Sequence, residues 1–211
     1  MLEVFYQTVG IASENTYVVV NEKKEALIID PGAGAQMLIN WIKSHHWQPQ
    51  AILLTHCHFD HIESVDELRD AFGIEAYVHH IEADYLSDPN LNLSANMPVQ
   101  PVAARPVEHV WQAEDMKEQQ VGSFHFRVAH IPGHSPGHVV YIFENQKFVI
   151  AGDTLFQGSI GRTDLYLGDY HHLINGIKTH LYSLPDDTTI YPGHGQSTTI
   201  KFEKRFNPFT N

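Results

Sequence analysis

The chain has almost no cysteine. Cys57 is the single one among 211 residues, so no internal disulfide can form and the sequence suits a reducing compartment. A lysine or arginine block is missing as well: 13 basic residues stand against 25 acidic ones, a formal net charge of −12. A field of that sign repels a phosphate backbone, which argues against nucleic-acid partners. No apolar run is long enough for a membrane span, because polar or charged residues interrupt each of them, so no membrane partner is expected. The opening residues "MLEVFYQTVG" lack the basic flank and apolar stretch of a signal peptide, and a cytoplasmic location is expected. Repeats, linkers and low-complexity segments are absent too, so one domain over residues 1–211 is expected. Histidine, by contrast, occurs 16 times.

Five segments share one pattern, a short apolar run that stops abruptly at Gly, Pro, His or Asp. They are "ALIIDPGAG" from Ala26, "AILLTHCH" from Ala51, "RVAHIPGHSPGH" from Arg127, "FVIAGDTLF" from Phe148 and "TIYPGHG" from Thr189. Runs of this length bounded by turn residues read as buried strands with loops at their carboxyl ends. Such loop ends commonly meet in one cleft, where polar side chains find partners.

Helical periodicity appears between the strands. Leu38, Trp41, Ile42 and His45 share one face of "GAQMLINWIKSHHW", and Ile62, Val65, Leu68 and Phe72 recur through "HIESVDELRDAFG", where Gly73 suits a C-cap. Leu173, Ile177 and Leu181 repeat the spacing in "YHHLINGIKTHLYSL". The alternation predicts an α/β or mixed α+β class. From Ser87 to Val110, with Pro89, Pro98, Pro101 and Pro106, no period is visible and a long surface loop is expected.

The stretch from His56 to His61 holds three histidines, Asp60 and Cys57. Imidazole and carboxylate donors suit zinc, iron or manganese rather than calcium. Packing explains such a cluster poorly, since each polar group would need its own partner when buried. His134, Asp153 and His194 each follow a further strand-like run beside Gly or Pro. These seven residues suffice for two adjoining metal sites, provided that one carboxylate bridges. A separation of roughly 3.5–4 Å is usual for hydrolysis by a shared hydroxide.

The motifs "IIDPGA", "THCHFDH", "PGHSPGH", "GDTLF" and "YPGHG", in this order, resemble the metallo-β-lactamase superfamily, whose H-x-H-x-D-H signature stands here as His56 to His61. The resemblance implies a four-layered αββα sandwich with its metals at one edge. It assigns His56, His58 and His134 to one metal and Asp60, His61 and His194 to a second. Asp153 bridges them, and Asp60 and Asp153 are the catalytic carboxylates. Two divalent ions per chain are implied, zinc first, with iron or manganese as substitutes. His138 is not a ligand in the family and keeps an orienting or rim role. Asp30 either orients a ligand or serves a turn. The pairs His45-His46, His79-His80 and His171-His172 are expected at the surface. Neighbouring side chains on an extended segment point opposite ways, so Cys57 should face the sheet as a small buried residue.

"GDTLFQGSIGRTDL" is similar to the glyoxalase II branch, the hydroxyacylglutathione hydrolases, and in particular to its short bacterial members. That likeness implies a small-molecule partner, a thioester cleaved to a hydroxy acid and a thiol by the hydroxide shared between the metals. Longer enzymes of the branch carry a C-terminal helical domain; here "QSTTIKFEKRFNPFTN" is all that follows "PGHG". Their glutathione-binding G-K-F-Y is replaced by Gly161-Arg162-Thr163-Asp164, where Arg162 is a candidate anion contact for the substrate. The alternatives are a persulfide dioxygenase-like enzyme with one iron on His56, His134 and Asp153, or a hydrolase of other esters, lactones or phosphodiesters.

Overall fold

The computed structural model describes residues 1–112 and 117–210, and the chain divides into two compact units. One comprises Met1–Trp111 with Val121–Ser123, the other Gln112–Gln120 with Phe124–Asn211.

The first unit opens as an antiparallel meander of β1 (Glu3–Val9), β2 (Glu14–Val20) and β3 (Glu25–Ile29). It continues in parallel through β4 (Gln48–Leu53), β5 (Glu75–His79) and β6 (His109–Trp111), in the spatial order β1-β2-β3-β4-β5-β6. Parallel neighbours need crossovers, and α-helices supply the first two. Helix α1 (Ala35–Ser44) joins β3 to β4, while α2 (Phe59–Ile62) and α3 (Val65–Phe72) join β4 to β5. Leu38, Ile39 and Ile42 of α1 and Val65 and Leu68 of α3 pack with Val18, Ile28, Ile52 and Val78 in one apolar cluster. Truncating such a side chain to alanine costs about 2–5 kcal/mol, because the cavity it leaves closes only in part. The alternate residues Val19, Leu27, Ile29 and Leu53 are also fully buried, the near-continuous apolar reading of strands covered on both faces.

Two expectations need adjustment here. The helical period read across "HIESVDELRDAFG" is interrupted at Glu63–Ser64, where the Ser64 N–H donates to the Pro31 carbonyl at 3.0 Å; Gly73 ends α3 in the left-handed region, φ 64°, as expected. The segment read as a loop from Ser87 to Val110 contains a 3-10 turn at Ser94–Asn96 and the start of β6. Its remainder is pinned rather than loose. Arg69 donates to the Arg105 and Pro106 carbonyls and pairs with Glu108, and Asn92 bonds the Tyr85 and Val102 carbonyls.

The second unit contains β7 (Lys117–Val121), β8 (Phe124–His130), β9 (Val139–Phe143) and β10 (Phe148–Gly152), then a hairpin of β11 (Leu155–Phe156) and β12 (Ser159–Ile160). Helix α4 (Tyr170–Gly176) runs into a π-helical turn at Ile177–Leu181, followed by β13 (Thr189–Pro192), β14 (Thr198–Thr199) and α5 (Ile200–Phe206). The sheet order is β14-β13-β10-β9-β8-β7, with β13 parallel to β10. Leu173, Ile177 and Leu181, spaced by four, pack with Ile200, Ile131, Val149 and Ile190. Asp169 caps α4 by accepting the His172 N–H at 2.8 Å, and Thr199 caps α5 by accepting the Phe202 N–H. Glu203 is buried in α5 and accepts from the Thr198 hydroxyl, the Gly158 N–H and the Asn207 amide, tying the C-terminal helix to the β11–β12 turn. No helix among the described residues is long and apolar enough to cross a membrane.

Candidate functional site

The first group of chemical residues stands at the carboxyl ends of β3 and β4. Asp30 follows β3 with φ 49°, a left-handed conformation that costs a non-glycine residue energy and often marks a functional position. Its Oδ1 accepts the Thr55 N–H at 2.7 Å. Its Oδ2 accepts the Thr55 hydroxyl at 2.6 Å and lies 3.1 Å from His61 Nδ1. A carboxylate only accepts, so His61 carries its proton on Nδ1 and presents Nε2 as the lone-pair nitrogen. Thr55 has one proton, and Asp30 takes it. The 3.1 Å contact between Thr55 Oγ1 and His56 Nδ1 is therefore donated by the imidazole, and His56 too presents Nε2.

His56 Nε2 lies 3.1 Å from His58 Nδ1, and His61 Nε2 lies 3.8 Å from Asp60 Oδ2. Tetrahedral zinc with ligands at about 2.0–2.1 Å separates its ligand atoms by about 3.3–3.4 Å. The donor set of this unit fits that requirement: nitrogen lone pairs and a carboxylate at coordination spacing, three of the four residues buried. Asp30, His56 and His61 also bring donor atoms within 4.8 Å of one another. Both Asp30 oxygens are engaged by Thr55 and His61, so orientation is its part here, served from a strained turn.

Glu14 completes the buried surroundings. Its Oε2 accepts the Thr16 hydroxyl at 2.9 Å, and Oε1 lies 3.9 Å from His61 Nδ1. Burial holds its carboxyl well above the ordinary carboxylate range; Asp30 and Asp60 push the same way, and His61 opposes them. Gly32 is obligatory beside it, since a Cβ there would stand 2.4 Å from both the Asp60 carbonyl and Glu14 Oε2. Cys57 faces the apolar cluster, fully buried, with its N–H donated to Glu82 Oε2 at 2.6 Å. Burial first, then Glu82 and Asp30, push its thiol well above the usual range. It is the small core residue that the alternation predicted.

The second group lies in the other unit, after β8, β10 and β13. His134 Nδ1 donates to the Arg162 carbonyl at 2.9 Å, which turns Nε2 toward Asp153 Oδ2 at 3.5 Å. His194 Nε2 is also 3.5 Å from that oxygen. One carboxylate oxygen equidistant from two imidazole nitrogens, at coordination spacing, fits a metal-ligating carboxylate. The Asp153 N–H donates to His138 Nε2 at 3.0 Å. Gly161 packs so tightly that a Cβ would fall 1.9 Å from the Asp153 carbonyl oxygen. Arg162 is exposed and holds Asp164 with two 2.9 Å hydrogen bonds, which depress the Asp164 carboxyl. Its backbone serves His134 while its side chain faces Asp164.

Within the first unit the fold thus brings together His56, His58, Asp60 and His61; within the second it brings together His134, Asp153 and His194. A model of the metallo-beta-lactamase superfamily matches residues 9–194. The chain belongs to that superfamily. Hydroxyacylglutathione hydrolase GloC of Haemophilus influenzae is 37% identical over 198 residues, covering 94% of this chain and 93% of GloC. The crystal structure of BLEG-1 B3 metallo-beta-lactamase superimposes with a TM-score of 0.95 at 44% identity, over 99% of this chain and 100% of that one. TTHA1623 in a di-iron-bound form gives 0.83 at 36% identity, over 97% and 99%. Membership bears out the expected fold class, mixed α/β with sheets flanked by helices, and agrees with a metal-dependent hydrolase.

Three participants carry no mark in the sequence: Thr55, Glu14 and Glu82. Each is a single polar residue whose part shows only once its partner is known. His79, expected at the surface, is buried, because it ends the strand β5 between β4 and β6 instead of lying in a helix.

Proposed function

We propose that the protein is a metal-dependent hydrolase that cleaves thioesters of 2-hydroxy acids, releasing the acid and a thiol. His56, His58, Asp60 and His61 of the first unit and His134, Asp153 and His194 of the second are the proposed ligands of two divalent ions, zinc first. The position of Asp153 Oδ2, 3.5 Å from the Nε2 atoms of both His134 and His194, carries this reading, since a shared carboxylate is what holds two ions at hydrolytic spacing. When bound, such a pair supplies Lewis acidity and a water activated near neutral pH, and no protein nucleophile is needed.

The chain's own residues prepare the ligands. Asp30 and Thr55 fix the tautomers of His61 and His56, and the Arg162 carbonyl fixes that of His134. Cys57 is turned into the core and takes no part. Arg162, exposed and paired with the equally exposed Asp164, is the proposed contact for an anionic group on the substrate. The substrate class is supported by the "GSIGRTD" stretch and by the activity named for GloC. A net charge of −12 weighs against nucleic acid as the substrate.

Metal analysis combined with an assay on S-lactoylglutathione tests the proposal. Thioester cleavage with two ions per chain is expected. One iron per chain with oxygen consumption on a glutathione persulfide would replace it by the dioxygenase reading.

A further inference from the structure

His138 stands four residues after His134 and looks like one more metal-binding histidine. Its ring is fully buried, and both of its nitrogens meet polar groups of one turn. Nε2 accepts the Asp153 N–H at 3.0 Å, and Nδ1 lies 3.2 Å from Thr154 Oγ1. A backbone N–H can only donate, so Nε2 carries the lone pair and the neutral ring keeps its proton on Nδ1, aimed at the Thr154 hydroxyl. With both nitrogens engaged, His138 cannot ligate a metal without abandoning the turn.

We infer, resting on the dinuclear reading proposed above, that His138 is the positioning residue for Asp153. It acts on the backbone, whereas Asp30 acts on a ligand side chain. The turn after β10 is held at its two ends, where the Gly152 carbonyl accepts the Gly193 N–H at 2.8 Å and the Thr154 carbonyl accepts the Gly161 N–H at 3.4 Å. Gly152 lies at φ 47°, the Thr154 N–H reaches the Ala151 carbonyl at 3.2 Å, and Gly161 packs against the Asp153 carbonyl. His138 holds the amide side of the same residue. Its own position is set by the tie between the Ile131 N–H and the His138 carbonyl at 2.8 Å, which closes the loop carrying His134. One imidazole thereby fixes Asp153 relative to the loop of a partner ligand. A carboxylate that serves two ions tolerates displacement of only about 0.5 Å, so its backbone anchor governs metal affinity.

The lengths of amide side chains provide the test. Glutamine carries its acceptor at about the reach of Nε2, asparagine only at about the reach of Nδ1, and leucine fills the space with no acceptor. Zinc affinity of the 211-residue chain is measured by competition with a chromophoric chelator for His138→Gln, His138→Asn and His138→Leu, with thermal unfolding as the folding control. Nitrogen-15 spectra of the zinc-loaded wild type report the His138 tautomer.

The expected result is an Nδ1–H tautomer, affinity lowered roughly 10- to 100-fold in the Asn and Leu variants, and recovery in the Gln variant. A generally structural histidine would not give that order. An Nε2–H tautomer, or Asn and Leu variants that bind zinc as the wild type does, would overturn the inference. If the Leu variant fails to fold, the Asn and Gln pair still decides. Uptake of a single ion by the wild type would remove the dinuclear reading alone, because the tautomer and the affinity for that ion would still judge His138.

Discussion

Asp30 Oδ2 and His61 Nδ1 lie 3.1 Å apart, both buried, one just after β3 and the other in the short helix α2 that follows β4. This contact sets which imidazole nitrogen His61 offers to a metal, and it links a strained turn to the ligand cluster. Asp30→Ala should lower zinc affinity roughly 10- to 100-fold while all seven proposed ligands remain. A competition titration measures it; unchanged affinity would reduce Asp30 to a turn residue.

Asp153→Ala goes to the bridging role itself. Loss of both metals and of thioesterase activity is expected, read by elemental analysis of the purified variant. Retention of two ions per chain would contradict the assignment.

Much of this was legible in the sequence, because metal ligands must leave apolar strands abruptly and turn residues betray where they do so. "THCHFDH", "GDT" and "PGHG" fall at the carboxyl ends of β4, β10 and β13. The Gly73 cap and the core positions of α3 and α4 follow equally from periodicity. What stayed hidden depends on contacts distant in sequence. Thr55 matters through Asp30, 25 residues away, and His138 through Asp153, 15 residues away. The strand β6 is three residues long and lacks a period, and pairing with β5 alone makes it a strand.

Cys57 should be unreactive in the folded protein, because its thiol is fully buried in the core and burial disfavours the thiolate. Ellman's reagent is expected to find one thiol per chain only after unfolding. Rapid stoichiometric reaction of the native protein would contradict the orientation assigned to it.

Glu203 gathers the Thr198 hydroxyl, the Gly158 N–H and the Asn207 amide on one buried carboxylate. Glu203→Ala leaves those donors without their acceptor and should cost about 3 kcal/mol of stability. For a chain of this size that is a fall in Tm of roughly 6–12 °C, readable by thermal unfolding. A change of a degree or less would show that the tie is dispensable.

Arg162→Ala should raise KM for an anionic thioester severalfold and leave kcat unchanged, the pattern expected when uniform binding is removed. A neutral thioester should be indifferent to the change. An equal loss on both substrates would make the Arg162–Asp164 pair a support for the loop, and no loss on either would leave Arg162 to act through its backbone carbonyl alone.

The proposed function requires these seven residues to hold two ions in a protein that hydrolyses a thioester. The most direct measurement is hydrolysis of S-lactoylglutathione by metal-depleted protein as zinc is added back in known equivalents. Activity should be negligible at the start and should rise until two equivalents per chain are bound. Saturation at one equivalent, or no hydrolysis at any loading, would contradict it.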